Sequence, residues 1–363
     1  MPTPAITLEV LPAGYGDCLL ISCPVGRRTW RLLVDTGPDE CYPALKARLA
    51  KLPGNKHGKR HIDLFVVTHI DHDHIGGVAQ LLNDSSLGLS FGDIWFNAPP
   101  RPAARGVAEG EALAQILAGS KRVLPWNLAW SGQPVSTPAE AGGVELTGRG
   151  LPRITLLSPT PERLKDLYKV WARELERLRL KEREVPEPEP AALRGGMPDL
   201  QALAARVTPT DKAVANGSSI AMLIEHKGAS VLLGADAFPT VLVPALNALS
   251  KRRGLAGPLQ VDVLKLSHHG SRANVTQELM RAVQAEHYVF STNGAQFRHP
   301  NDEAVARVIV SSKQATLWFN YATPHTRQWA ADELIGKYGH AVRYPAQVGS
   351  GVVLELPSRG NQR

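Results

Sequence analysis

The sequence predicts a mixed α/β (α+β) protein whose strand ends carry its chemistry. Short apolar runs of strand length recur along the 363 residues and alternate with stretches of helical spacing. Apolar residues make up 43 %, enough for a large core in one large domain or two smaller ones. Four of the apolar runs lead into a metal-binding residue type: His69, Asp236, His268 and, a little later, His299. Strand ends on one rim of a sheet converge, so residues far apart in sequence can meet there.

The elements follow in order. Residues 6–10 alternate as a strand, and 18–22 and 30–34 read as a hairpin around Val25-Gly26-Arg27. Gly14 and Gly16 allow a tight turn before the hairpin, and Asp35-Thr36-Gly37 follows it. Residues 43–52 have helical spacing and stop at Pro53-Gly54. The run 64–67 is a buried strand, and 94–97 is a short one. Between 98 and 150 one helix is expected, Glu109 to Ala118, among loops and short strands. Residues 154–159 return as a strand. Later strands are expected at 220–225, 230–234, 261–266 and 287–291, with helical spacing between Asp236 and Ala248.

Residues 160–212 read as an insertion. Leu164, Leu167, Trp171, Leu175 and Leu178 form one helical stripe, and the helix's many charges nearly cancel. It then breaks into Val185-Pro186-Glu187-Pro188-Glu189-Pro190, an extended linker. The segment is expected to pack over the core or against a protein partner.

The densest chemistry follows the run 64–67. In His69-Ile70-Asp71-His72-Asp73-His74, five of six positions are potential metal ligands. Gly76-Gly77 then lets the chain turn closely into a helix that includes Val78, Leu81 and Leu82.

The pattern His-x-Asp-x-Asp-His resembles the first metal motif of the metallo-β-lactamase fold superfamily, with Asp71 where a histidine is usual. Followed by Ile-Gly-Gly, it is similar to the metallo-β-lactamase-like domain of bacterial competence (DNA-uptake) proteins and their free-standing soluble relatives. The resemblance covers about residues 6–355, apart from most of 160–212. It implies a four-layer αβ/βα sandwich: two mixed sheets face to face, helices outside. It also implies two divalent ions, Zn²⁺ or Mn²⁺. His69 and Asp71 would serve the first, Asp73 and His74 the second. Asp236 would bridge them, and His268 would be the last histidine ligand. Gly-Asp is usual at the bridge, and here it is Ala235-Asp236. A lone third-motif histidine is replaced by Asn216-Gly217-Ser218-Ser219, so Asn216 or water would complete the first ion.

The implied nucleophile is a metal-activated hydroxide, oriented or deprotonated by Asp73. His269 and His299 would face substrate, stabilising a phosphoryl oxygen or protonating the leaving group. Asp17 and Asp35 either support the ligands from beneath or act as turn and cap carboxylates. Ser271, Arg272 and Arg298 sit beside these motifs as substrate-binding residues. Asp71 hardens the site, which favours Mn²⁺ relative to an all-histidine zinc site. His57, His61, His226, His287, His325 and His340 read as surface or structural.

Lys and Arg outnumber Asp and Glu by 41 to 34, a net charge of +7 that suits a polyanionic partner. The surplus is dispersed over Arg27-Arg28, residues 56–60, Lys121-Arg122 and Lys251-Arg252-Arg253. No apolar run approaches the roughly 18–20 residues of a membrane span. No signal peptide is visible, and Cys18, Cys23 and Cys41 lack zinc-type spacing, so a cytoplasmic protein with reduced cysteines is expected. The function expected is a metal-dependent phosphodiesterase or nuclease with nucleic acid as substrate, some relatives being similar to anti-phage defence components. The alternatives are a small-molecule hydrolase (lactonase, thioesterase or cyclic-nucleotide phosphodiesterase) and a non-catalytic scaffold or binding subunit.

Overall fold

Alternation along the strands decides the layering. In strand β2 (Leu19–Val25), which follows β1 (Ile6–Val10), Leu19 and Ile21 face one apolar core and Leu20 another. The computed structural model describes residues 3–99, 109–118, 124–181, 198–312 and 314–359. The first sheet continues through β3 (Arg28–Val34), β4 (Arg60–Val66) and β5 (Leu89–Trp95). Then come β6 (Val144–Leu146), β7 (Arg153–Ser158), β8 (Ala221–His226) and β9 (Ala229–Leu233). The last are β10 (Leu259–Lys265), β11 (Val283–Phe290), β12 (Thr316–Phe319), β13 (Ala341–Arg343) and β14 (Val352–Leu356).

These strands form two mixed sheets. One runs β14-β1-β2-β3-β4-β5 and the other β13-β12-β11-β10-β9-β8-β7-β6. Each has an antiparallel part and a parallel part, β3-β4-β5 in the first and β9 to β13 in the second. One core holds the facing inner residues of both sheets, such as Ile21, Leu32 and Val66 against Met222, Val231 and Val263. Two further cores lie beneath the outer helices. Three cores separate four layers: helices, sheet, sheet, helices. The expected sandwich is the observed architecture.

Parallel strands end on the same edge, so β3, β4, β9 and β10 deliver Asp35, His69, Asp236 and His268 to a common rim. Bonds between the sheets fix that rim. Ile220 donates to the Thr68 carbonyl (3.0 Å), and Asn293 donates to the Gly14 carbonyl (2.8 Å). Gly16 admits the first turn to the site, because a Cβ there would lie 1.8 Å from the Asp73 carbonyl oxygen.

The described part of the 160–212 segment packs on the body of the protein. Leu164, Leu167 and Trp171 of the helix Pro161–Lys181 are buried. The Leu175 and Leu178 side chains and the Pro-rich stretch at 185–190 lie outside the described residues, as do Lys121 and Arg122. The short helix Leu200–Ala205, which periodicity did not single out, joins the outer core of the second sheet. Among the described residues, no helix is long and apolar enough to cross a membrane. The three cysteines are free.

Arg307, 3 % exposed, ties this segment down. It donates to the carbonyls of Ala204, Arg206, Arg272 and Val275 and to the Thr208 hydroxyl, at 2.7–3.2 Å. Arg307→Met fills the space but strands those carbonyls, so it should cost about 3 kcal/mol of stability. It should also speed proteolysis between residues 198 and 212. Urea denaturation with limited proteolysis checks both, and an unchanged unfolding midpoint would remove Arg307 from this role.

Candidate metal centre

The chain leaves β4 at Thr68-His69 and begins a short helix, His72–Ile75, at once. That turn places His69, Asp71, Asp73 and His74 around one centre. His72 turns outward, with Nε2 3.4 Å from Asp39 and 3.8 Å from Glu40 at the surface. From the second sheet, β9 ends on Ala235-Asp236 and β10 on His268-His269. These loops carry unusual backbone. Asp35, Ala235, His268, His269 and Arg298 all have positive φ, between 44° and 56°. Such conformations cost about 1–2 kcal/mol each in non-glycine residues and gather where geometry is imposed for function. Ala235 shows why glycine is the easier residue before the aspartate.

The donors sort into two sets that share Asp236. In the first, Asp236 Oδ2 lies 3.9 Å from His69 Nε2 and 3.6 Å from His268 Nε2, and Asp71 Oδ2 lies 3.8 Å from His69 Nε2. In the second, Asp236 Oδ1 lies 3.4 Å from His74 Nε2 and 3.8 Å from His269 Nε2. Asp73 Oδ2 lies 3.7 and 3.1 Å from the same two nitrogens, which are 3.2 Å apart. Four donors at 2.0–2.2 Å from one tetrahedral ion would be roughly 3.3–3.6 Å from each other. The second set, at 3.1–3.8 Å, comes close to that spacing, and the first, at 3.6–3.9 Å, is wider.

Every ring is held from behind. His69 Nδ1 is 3.0 Å from the Thr68 hydroxyl, which donates to Asp35 (2.8 Å). His74 Nδ1 is 2.8 Å from Asp35. His268 Nδ1 is 3.1 Å from Asn274 Oδ1, and His269 Nδ1 is 2.9 Å from the Ser291 carbonyl. An imidazole whose Nδ1–H is engaged turns the lone pair of Nε2 toward the centre. His69 Nε2, in the first set, and Asp236 Oδ1, in the second, are buried with no hydrogen-bond partner, as atoms that would ligate an ion are.

The charges follow from this burial. Burial pushes His69 down to about 3, and the neighbouring His74 adds to the effect. Burial also opposes charge on His268, but Asp236 and Asp211 outweigh it and raise the ring to about 9. His74 is likewise raised well above its usual value, against burial, by Asp236, Asp73 and Asp35. Asp73 falls to about 2 despite burial, because His74 and His269 hold its charge. Burial, then His268 and His269, keep His299 far below the usual histidine range and therefore neutral at pH 7.

Two placements differ from the sequence expectation. His269 does not line an open cleft; it is fully buried, with Nε2 in the second donor set. His268, expected as the last histidine ligand of neither ion in particular, lies on the Asp236 oxygen that faces His69, where Asn216 or water was expected to complete the set begun by His69 and Asp71. Asn216 stands behind it, donating to Asp211 (2.8 Å) and lying 3.4 Å from His268 Nδ1. The Ser271 hydroxyl accepts from the Ala273 amide (3.3 Å) and so shapes its own loop. Arg272 is half exposed and pairs with Glu303 at 3.6 Å. Arg298 stands in the loop before His299, whose ring centroid is 5.1 Å from that of His268.

Asp17 and Asp35 both lie beneath the site. Asp17 Oδ1 is 3.3 Å from His269 Nδ1, and its other oxygen is bound by Lys265. Sequence reading missed Lys265, although a lysine inside the apolar run 261–266 was a visible signal. It also missed Asp211 and Asn274, which follow no strand and so left none.

No family model matches the chain, and no curated protein matches it. Several solved structures share its outline. YhfI, a metallo-β-lactamase fold protein from Bacillus subtilis, is 13 % identical, with 97 % of this chain and 99 % of that one covered and a TM-score of 0.43. Zn²⁺-bound PqqB from Methylobacterium extorquens is 13 % identical over 96 % and 100 % of the two chains, with a TM-score of 0.44. The short form of human tRNase Z is 12 % identical over 97 % and 99 %, with a TM-score of 0.42. Likeness at this level carries no residue role to this chain.

The Lys265–Asp17 pair is shut off from water, with both side chains at most 2 % exposed. Lys265→Met should leave the Asp17 charge buried with only His269 beside it, at a cost of about 3 kcal/mol. Adding Asp17→Asn removes that charge and should restore a large part of the loss. Chemical denaturation of the single and double variants decides it; equal losses in both would show that Lys265 does not compensate Asp17.

Proposed function

We propose that the chain is a metal-dependent hydrolase of phosphodiesters, with nucleic acid as its substrate. The observation that carries the reading is the pair of donor sets joined by Asp236. His69, Asp71 and His268 would hold one ion, Asp73, His74 and His269 the other, and Asp236 both. Bound divalent ions supply Lewis acidity and a water activated near neutral pH. Each set combines two imidazoles with carboxylate oxygen, a mixture that suits Zn²⁺ and Mn²⁺.

The chain's own residues supply positioning and hydrogen bonding. Thr68, Asp35, Asn274 and the Ser291 carbonyl orient the rings. Neutral His299, close to His268, can offer an N–H to a phosphoryl oxygen. Arg272 and Arg298, flanking these loops, would hold neighbouring phosphates. The choice of a phosphodiester over a lactone or thioester is supported by the Asp71 variant's resemblance to the DNA-uptake branch and by the net charge of +7.

The test supplies Mn²⁺ or Zn²⁺ and compares single- and double-stranded DNA, RNA and a chromogenic phosphodiester across salt concentrations. Nucleic-acid cleavage should need the metal, weaken steeply with salt, and fall at least a thousandfold in Asp73→Ala, about 4 kcal/mol of transition-state stabilisation. Activity confined to lactones or thioesters would overturn the substrate reading, and turnover by Asp73→Ala near wild type would overturn the mechanism.

A further inference from the structure

The chain has 7 Phe, 7 Trp and 7 Tyr. All are buried or half-buried except Phe297, which is 44 % exposed. A single exposed apolar side chain is ordinary, but this one stands beside the candidate metal centre. Its ring is stacked on His299 at 28° with centroids 6.1 Å apart, and His299 is stacked on His269 at 19° and 6.4 Å. Three rings, each within 28° of its neighbour's plane, thus run from the second donor set to the surface. Tyr15 and Phe297 form a T-shaped pair at 76° and 6.1 Å.

The loop carrying Phe297 is held in place. Asn293 donates to the Gly14 carbonyl at 2.8 Å. Gly294 and Ala295 donate to the Thr292 and Asn293 side chains at 3.0 and 2.9 Å, and Arg298 donates to the Gly294 carbonyl at 3.2 Å. A loop held before the ligand arrives loses little entropy on binding.

We infer that Phe297 is a stacking platform for a nucleobase adjoining the phosphate cleaved at the metal centre. The inference rests on the proposed phosphodiester reading and deepens it. A column of rings ending at solvent is completed by another flat ring. Every nucleobase has such a face, so the contact gives affinity without sequence preference. A small aliphatic ester or lactone has no flat aromatic face to place there.

The experiment uses the metal-loaded full chain and a single-stranded DNA oligonucleotide, compared with the same strand made abasic on both sides of the cleaved phosphate. Phe297→Ala should raise KM for the base-bearing strand about tenfold, with the loss falling on KM rather than kcat. Phe297→Trp should return KM to within about twofold of wild type. For the abasic strand, wild type and Phe297→Ala should have the same raised KM. A KM for the base-bearing strand that ignores Phe297, or an equal penalty on both strands, overturns the platform while nuclease activity stands. A wild-type protein that cleaves the chromogenic diester but no oligonucleotide overturns the nucleic-acid reading and the platform with it.

Discussion

Asp236 places a carboxylate, 1 % exposed, at the edge where the two sheets meet. A charge taken out of water must be compensated locally, or the fold bears several kcal/mol of desolvation. Asp17, Asp35 and Asp73 are buried around it and enlarge the problem. Lys265 answers for Asp17. For the rest the compensating groups are imidazoles, which is why His74 and His268 are raised despite their burial. The acidic surroundings favour the protonated form of those rings, and a divalent ion would do the same electrostatic work with more charge. Metal binding therefore competes with protons for the same nitrogens.

The two sheets divide the labour of building this centre. The parallel part of the first brings the loop at 69–74 and, beneath it, Asp35. The parallel part of the second brings Asp236 and the adjacent histidines. The same face-to-face packing that buries Ile21, Val66, Val231 and Val263 thus sets the distance between donors. Small movements of one sheet against the other would open one or both sets. The Lys265–Asp17 pair and the Ile220–Thr68 bond resist that movement from just below the site.

Most of the architecture was legible because strand period and strand ends are local signals. The runs at 6–10, 64–67, 230–234 and 261–266 each fall on an observed strand. The convergence of Asp35, His69, Asp236 and His268 follows from parallel strands ending on one edge. The chain beyond residue 300 was harder: β12 and β13 have four and three residues, too short for a period to show. The division between His268 and His269 was not legible at all. Neighbours in extended backbone point to opposite sides, whereas here consecutive φ values of 49° and 54° turn both Nε2 atoms toward Asp236. Sequence patterns do not report left-handed backbone outside glycine, and Asp211 and Asn274 support this turn from loops without periodicity.

The shared carboxylate is tested most directly by counting ions. Protein reconstituted with zinc and freed of excess would be measured by elemental analysis in wild type, His268→Ala, His269→Ala and Asp236→Ala. Two ions per chain are expected in wild type, one in each histidine variant, and none held stoichiometrically in Asp236→Ala. A wild type that holds no zinc, or an Asp236→Ala protein that still holds two ions, would contradict the arrangement in which one buried aspartate joins both sets.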